Sequence, residues 1–264
     1  MVLNVAHRGF SGKYPENTLL AFRKAIEMGV DMIETDVRLS RDFQAIIIHD
    51  PKFNRTTNGQ GRISSKNLSE IRTFRTKERN QPIPTLEEVF PLIRGNTKLI
   101  VELKGFMPAW KVAALIKKHN MQNKVIVSSG SVMGLRIVKN EIPNIQIGFS
   151  FYVSDNPKRD PIVTLLLKMS FKITHLLVIK LAEFTNARYI NLFYGFSTRK
   201  FIRKLKSKGY VVTAWNVNTS PLMKKLIKNG IDGIYTNYPD KLKRLLSQKK
   251  KINKRNGLLR HLPF

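Results

Sequence analysis

The feature that most constrains the fold is a repeated alternation of short β-branched segments with amphipathic segments. The sequence predicts strands at Leu3–His7, Met32–Leu39, Ala45–His49, Leu99–Leu103, Val125–Ser128, Ile145–Phe149, Tyr189–Leu192, Tyr210–Trp215 and Ile231–Thr236. Between many of them it predicts helices, at Glu16–Met28, Leu86–Ile93, Trp110–His119, Thr198–Lys208 and Pro221–Lys228. Apolar strands that alternate with helices are typical of a parallel sheet with helices packed outside it.

Two architectures fit this alternation, a closed barrel and an open doubly wound sheet. The chain has 264 residues, which suits a single α/β domain of the (β/α)8 TIM-barrel type. A barrel needs one strand fewer than predicted, so we interpret Met32–Leu39 and Ala45–His49 as a hairpin extension. An open sheet is less favoured because no glycine-rich phosphate-binding motif follows the first strand.

The alternation also suggests the domain boundaries. The barrel is assigned to residues 1–246, with a polar lid or small insertion at residues 51–81. Residues 247–264 form a basic tail that contains no acidic residue and is predicted to be disordered. The N-terminus has no signal-peptide pattern, so a cytoplasmic location is expected.

Composition narrows the functional classes. The absence of cysteine excludes disulfides, thiol nucleophiles and thiolate metal sites. The 47 Lys and Arg residues outnumber 18 Asp and Glu, and the net charge of +29 favours anionic partners such as phosphate compounds or anionic membranes. No nucleic-acid-binding motif is visible, so nucleic acid is not an expected partner.

Ionisable side chains cluster where predicted strands end, the position of working groups in parallel barrels. Glu34 and Asp36 lie two apart on one strand and therefore share a face, and Glu102 comes from another strand. Three buried carboxylates would repel each other, and a bound Mg²⁺ or Ca²⁺ would relieve this repulsion. A structural salt-bridge network with Arg8 and Lys104 is the alternative, and spacing alone leaves both open.

Two histidines end different strands beside these carboxylates. His7 and His49 could flank one phosphate as general base and general acid, with Arg8 as a bidentate phosphate clamp. A purely structural role for each histidine is the alternative.

The motifs occur in an order that resembles the glycerophosphodiester phosphodiesterases of the phospholipase C-like phosphodiesterase superfamily. The matching segments are His7-Arg8-Gly9, Pro15-Glu16-Asn17-Thr18, Glu34-x-Asp36-Val37, His49-Asp50, Arg55-Thr56-Thr57-x-Gly59-x-Gly61, Pro84-Thr85-Leu86-Glu87-Glu88, Glu102-Leu103-Lys104, Trp215-Asn216-Val217-Asn218, and the run from Gly230 to Asp240. The resemblance implies a (β/α)8 barrel that hydrolyses small glycerophosphodiesters to glycerol 3-phosphate and an alcohol with a divalent cation, Mg²⁺ or Ca²⁺. It implies these roles: metal ligands Glu34, Asp36 and Glu102; acid–base residues His7 and His49; phosphate contacts Arg8 and Lys104; and a pocket wall at Trp215.

Two positions depart from the family pattern. Phe43 follows Asp42 where glycine is usual, which predicts a turn of different shape because Phe adopts positive φ only with strain. Asn237 replaces a more usual Asp, and we expect neither position to touch the metal or histidine set.

Two other functions remain as alternatives. A lysophospholipase D-like activity at a membrane surface is favoured by the polar stripe Thr164, Lys168, Lys172 and His175, which otherwise belongs to an ordinary outer helix. This alternative adds peripheral contact with an anionic membrane. A non-catalytic basic barrel that binds anionic polymers is the other.

Overall fold

The strands form one sheet that closes on itself. The computed structural model describes residues 2–93, 95, 97–151 and 171–248. The strands in this part of the chain are β1 (Leu3–His7), β2 (Met32–Leu39), β3 (Ala45–Ile47), β4 (Lys98–Leu103), β5 (Val125–Ser129), β6 (Gln146–Phe151), β7 (Tyr189–Phe193), β8 (Val211–Trp215) and β9 (Gly233–Thr236). All except β3 are parallel, and β1 pairs with both β2 and β9. The predicted TIM-type barrel is therefore confirmed.

Helices cover the outside of the barrel. They are α1 (Leu19–Glu27), α2 (Leu68–Ile71), α3 (Leu86–Val89), α4 (Ala109–Lys118), α5 (Val132–Glu141), α6 (Phe171–Phe184), α7 (Arg199–Ser207), α8 (Ser220–Asn229) and α9 (residues 239–248). Thr18 and Thr198 cap α1 and α7 by accepting hydrogen bonds from Ala21 N and Phe201 N. Their apolar faces bury Phe22 and Phe201 against the outer surface of the sheet.

The hairpin extension is the strand β3. One edge of β2 has two partner strands. Its first half pairs with β1, and the last residue pair there is His7 with Glu34. Its second half pairs with β3, and the first residue pair there is Val37 with Ile47. Because β3 runs antiparallel to β2, it carries the chain back toward the end of β1. This return brings His49 to the mouth of the barrel.

The turn between β2 and β3 corrects the prediction for Phe43. Phe43 has φ of +57° and so adopts the left-handed conformation that glycine would take. Ser40 holds the turn, since its hydroxyl donates to Asp42 Oδ1 at 2.6 Å and accepts from Gln44 N at 2.8 Å. The prediction of a differently shaped turn is wrong because this network outweighs the local strain of about 1–2 kcal/mol.

Residues 51–81 form an insertion with its own core. The insertion and its flanks bury the cluster Ile46, Ile48, Phe53, Ile63, Ile71 and Ile83. The Phe53 and Phe74 rings also meet edge to face at 5.0 Å. Of the two alternatives, the structure favours a packed insertion over a polar lid.

The C-terminal part of the described chain packs on the barrel. Leu242 of α9 is buried, and Asn4 Nδ2 donates to Pro239 O at the start of this helix. The helix includes residues 247 and 248, while residues 249–264 lie outside the described ranges, so disorder of the tail stays a prediction. In the described ranges no helix is both long and apolar enough to span a membrane.

The polar stripe predicted near α6 is only partly described. Thr164 and Lys168 lie outside the described residues, as does the side chain of Lys172. The His175 ring stacks on Phe201 of α7 with centroids 3.6 Å apart. His175 is therefore directed toward a neighbouring helix rather than outward with the predicted stripe.

Candidate active site

The interior face of the barrel changes character along the strands. Side chains alternate between the two faces of a strand, so every second residue points inward. The positions near the strand starts are apolar and include Val5, Met32 and Ile100. The next inward positions are His7 above Val5, Glu34 and Asp36 above Met32, and Glu102 above Ile100. A layer of apolar side chains therefore lies beneath a layer of charged side chains at the carboxyl ends of the strands.

The three carboxylates of this layer lie close together. Glu34, Asp36 and Glu102 each place an oxygen within 4.8 Å of the others. Glu34 and Asp36 are 1% exposed, and Glu34 Oε1 has no hydrogen-bond partner among the described residues. Asp36 Oδ1 also lacks a hydrogen-bond partner among the described residues, and three carboxylates with two such buried oxygens fit a hard divalent cation. The cluster could therefore hold such an ion.

The electrostatic surroundings of Glu34 and Asp36 shift the pKa values of these two buried acids in opposite directions. Burial, followed by the charges of Asp36 and Glu102, raises the pKa of Glu34 well above its ordinary value. Burial opposes ionisation of Asp36 as well, but Lys104 and Arg8 outweigh it and hold the Asp36 pKa far below its usual range. Without a cation, Glu34 is thus the acid that least tolerates its charge.

Arg8 and Lys104 form the salt-bridge network that the sequence left as an alternative. Lys104 Nζ lies 2.8 Å from Asp36 Oδ1 and 2.6 Å from Glu102 Oε1. Arg8 N donates to Glu34 Oε2 at 2.9 Å, and Arg8 Nε lies 3.2 Å from Asp36 Oδ2. The Asp36 contacts to Lys104 Nζ and Arg8 Nε have ion-pair distances without hydrogen-bond geometry. The salt-bridge network is present in the structure, but Glu34 Oε1 still lacks a hydrogen-bond partner among the described residues.

His7 stands beside the carboxylates. Its Nδ1 lies 2.7 Å from Asn237 Oδ1, and its Nε2 lies 3.9 Å from Glu34 Oε2. Because an amide oxygen only accepts, this contact assigns the hydrogen to Nδ1 and the lone pair to Nε2. Burial and the neighbouring Arg8 lower the His7 pKa to about 3, so the ring is neutral at physiological pH.

His49 is held by a chain of charged groups. Its Nδ1 forms a hydrogen bond with Asp50 Oδ1 at 2.6 Å, and Arg55 Nε donates a hydrogen bond to Asp50 Oδ2 at 2.5 Å. Arg55 also donates twice to Glu16, which accepts from Arg8 Nη1 at 3.0 Å. Burial lowers the His49 pKa, and Asp50 acts in the opposite sense.

A cavity of about 620 Å³ opens over this layer at the carboxyl ends of the strands. Its lining includes the predicted site residues His7, Arg8, His49, Glu102, Lys104 and Trp215. Its other half is polar and uncharged. There Asn191 forms hydrogen bonds with Ser128, Ser150 and Thr213 across the barrel. The volume is that of a small-molecule site.

Comparison with known proteins decides the family. The profile of the glycerophosphoryl diester phosphodiesterase family matches residues 7–241. The chain belongs to this family. A glycerophosphodiester phosphodiesterase of Caldanaerobacter subterraneus is 32% identical over 91% of this chain and 96% of that protein. The predicted enzyme class, a phosphoric diester hydrolase, is confirmed with the family.

Two further relatives bear on the substrate. A solved phosphodiesterase of Oleispira antarctica, in complex with the product sn-glycerol-3-phosphate, is 26% identical. The match has a TM-score of 0.77 and covers 92% of this chain and 96% of that chain. Human lysophospholipase D is 26% identical over 92% of this chain and 85% of that protein.

The structure of this phosphodiesterase corrects the expectation for Asn237. We expected this departure to lie away from the metal and histidine set, but Asn237 contacts His7 directly. The reason is that β9 pairs in parallel with β1 across the closure of the barrel, with Ala6 opposite Thr236. The next residue of each strand therefore comes side by side.

Sequence reasoning also missed the roles of other polar residues in the phosphodiesterase site. Asn17 has φ of +57°, donates to Asp36 Oδ2 at 2.8 Å and accepts from Thr35 Oγ1 at 2.9 Å. Arg38 Nε donates to the His49 carbonyl at 2.7 Å. Asn17 and Arg55 belong to segments that matched the family signature, which was the available signal for them.

Proposed function

We propose that this phosphodiesterase hydrolyses glycerophosphodiesters to glycerol 3-phosphate and an alcohol. In this proposal Glu34, Asp36 and Glu102 hold the divalent cation, Mg²⁺ or Ca²⁺, and His7 and His49 transfer protons. The observation that carries the proposal is a cavity lined by two oriented imidazoles and by Glu102, which belongs to a cluster of three carboxylates. Support for the substrate comes from the family and from the product bound by the Oleispira relative.

The charged half of the cavity suits a phosphodiester. Arg8 and Lys104 supply the positive charge that its non-bridging oxygens require, and Trp215 forms part of the wall. A cation bound to the carboxylates would polarise the phosphate and a substrate hydroxyl. The uncharged half around Asn191 offers hydroxyl and amide groups to the rest of the substrate.

The histidines are assigned by their partners. Asn237 holds the hydrogen of His7 on Nδ1 and leaves the lone pair of Nε2 free to accept a proton, so His7 is assigned as the general base. His49 has the carboxylate of Asp50 at Nδ1, which stabilises a protonated ring. An anionic phosphate in the cavity would act in the same direction, so His49 is assigned as the general acid.

A hydrolysis assay on a panel of glycerophosphodiesters, with and without divalent cations, tests the proposal. Loss of a general acid or base typically lowers kcat by about 10²–10⁴-fold, so His7→Ala and His49→Ala should each show a loss of this size. His119→Ala is the matched control, because His119 pairs with Glu87 on the outer surface and should retain full activity. A near wild-type kcat in either site variant, measured with an unactivated alcohol leaving group, would exclude its assigned role.

The lysophospholipase D-like activity remains a second candidate. It is favoured by the similarity to human lysophospholipase D and by exposed apolar side chains near the cavity. The ratio of kcat/KM for glycerophosphocholine and for lysophosphatidylcholine separates the two candidates. The non-catalytic barrel is set aside because the chain belongs to an enzyme family.

A further inference from the structure

Four large apolar side chains are exposed where the chain leaves two neighbouring strands and enters the following helices, at the carboxyl end of the barrel. Phe106, Met107, Trp110 and Met133 are between 42% and 60% exposed, and we call them the apolar rim. Phe106 and Met107 follow β4, Trp110 lies in the first turn of α4, and Met133 lies in the first turn of α5. Exposed apolar groups that cluster in this way mark interaction surfaces.

The apolar rim borders the cavity. Gly105 and Ser131, which immediately precede the rim segments, line the cavity itself. The two segments also touch, since a Cβ placed on Gly134 would lie 3.2 Å from Gly105 O and from Phe106 Cα. The rim and the mouth of the active site therefore belong to one surface.

Cationic side chains lie beside the rim. Lys111 follows Trp110 in the first turn of α4, and Arg38 and Lys104 line the neighbouring cavity. Apolar groups flanked by cations are typical of proteins that bind anionic lipid surfaces, and Trp is favoured at such interfaces. A second copy of the chain fits poorly, because two molecules of charge +29 repel each other.

We propose that the apolar rim inserts into the surface of an anionic lipid bilayer or micelle, with the mouth of the active site facing the lipid. The inference rests on the proposed function only for the reaction that follows binding. It places the lipid contact on the segments after β4 and β5 rather than on the stripe that the sequence suggested. A single-chain lipid could then enter the cavity from the surface without crossing water.

Vesicle co-sedimentation in EDTA tests the proposal without turnover. We expect wild type to bind mixed phosphatidylcholine–phosphatidylglycerol vesicles and to bind pure phosphatidylcholine vesicles weakly. Trp110→Ser with Met133→Ser should weaken binding to the mixed vesicles at least about tenfold. Phe184→Ser is the matched control, since Phe184 is equally exposed at the opposite end of the barrel and should bind like wild type. Thermal melting shows that each variant is folded.

Fluorescence gives an independent measurement. The sequence contains two Trp residues, so Trp215→Phe leaves Trp110 as the reporter. We expect its emission to shift to shorter wavelength on the mixed vesicles and to be quenched by brominated lipid. A vesicle-bound protein without this quenching, or a rim variant that binds like wild type, would overturn the proposal. A chain that binds through the rim but hydrolyses nothing would instead contradict only the proposed function.

Discussion

Glu34→Gln is the substitution that most directly tests the metal site. Glu34 is buried, one of its oxygens lacks a hydrogen-bond partner within the described ranges, and its pKa is raised by burial and by Asp36 and Glu102. Gln has nearly the same shape and removes the charge. It keeps an oxygen that accepts from Arg8 N, and its amide group can donate to the neighbouring carboxylates.

The size of the effect follows from the spacing of the carboxylates. Two unit charges 4.8 Å apart repel by about 3 kcal/mol at an effective dielectric constant of about 20. Protonation of Glu34 and attraction by Arg8 and Lys104 relieve part of this repulsion in the metal-free enzyme. We therefore expect Glu34→Gln to stabilise the metal-free fold by about 1–2 kcal/mol, a rise in Tm of roughly 2–8 °C.

A divalent cation should reverse this order. A ligand at about one hundred times its Kd stabilises the native state by about 2.7 kcal/mol, so saturating cation should raise the wild-type Tm by roughly 5–10 °C. Glu34→Gln loses one of three charged ligands and should show a much smaller rise. Wild type should thus melt below the variant in EDTA and above it with cation.

Thermal melts in EDTA, Mg²⁺ and Ca²⁺ measure this crossing. Glu27→Gln is the matched control, because Glu27 is an exposed α1 residue paired with Lys24 and should leave both melts unchanged. If Glu34→Gln lowered the Tm equally in EDTA and in cation, Glu34 would be a structural anchor of the Arg8 loop and not a metal ligand.

Other parts of the structure are tested at His7, Phe43 and Arg55. The folded-state pKa of His7, about 3, lies below the unfolded value of 6.5, so stability is complete above pH 6.5 and is lost as the pH falls. Between about pH 7 and about pH 5 wild type should lose roughly 2 kcal/mol that His7→Gln does not lose, and parallel stability curves would exclude this pKa. Phe43→Gly should raise the Tm by about 1–4 °C through relief of the positive φ, while Phe43→Ala should not; equal melts for the two variants would exclude strain at this turn. Arg55→Gln should lower kcat by about 10–100-fold with little change in KM, because it releases Asp50 and Glu16 together, and Arg55→Lys should recover part of the loss; an unchanged kcat would show that the bridge does not position the site.

The sequence by itself determined the barrel and the contents of its charged layer. The two-residue periodicity of Met32, Glu34 and Asp36 directs both acids to one face, whatever lies around them. The continuous apolar strands required burial on both sides, which indicated a parallel sheet covered by helices. The chain length and the missing glycine-rich motif favoured the closed barrel over the open sheet. The β2–β3 hairpin was also recognisable, because its signal is local along the chain.

Only the tertiary structure decided how the site residues are partnered. Asn237 reaches His7 across 230 positions of sequence, and Arg55 reaches Glu16 across 39. Such contacts depend on which strands become neighbours when the barrel closes and on how the insertion packs, and no periodicity encodes either. The turn at Phe43 shows the same limit, because the hydrogen bonds that Ser40 donates to Asp42 and accepts from Gln44 hold a conformation that the preference of Phe43 opposes. Local pattern fixes the face of a side chain, and long-range packing fixes what that side chain meets.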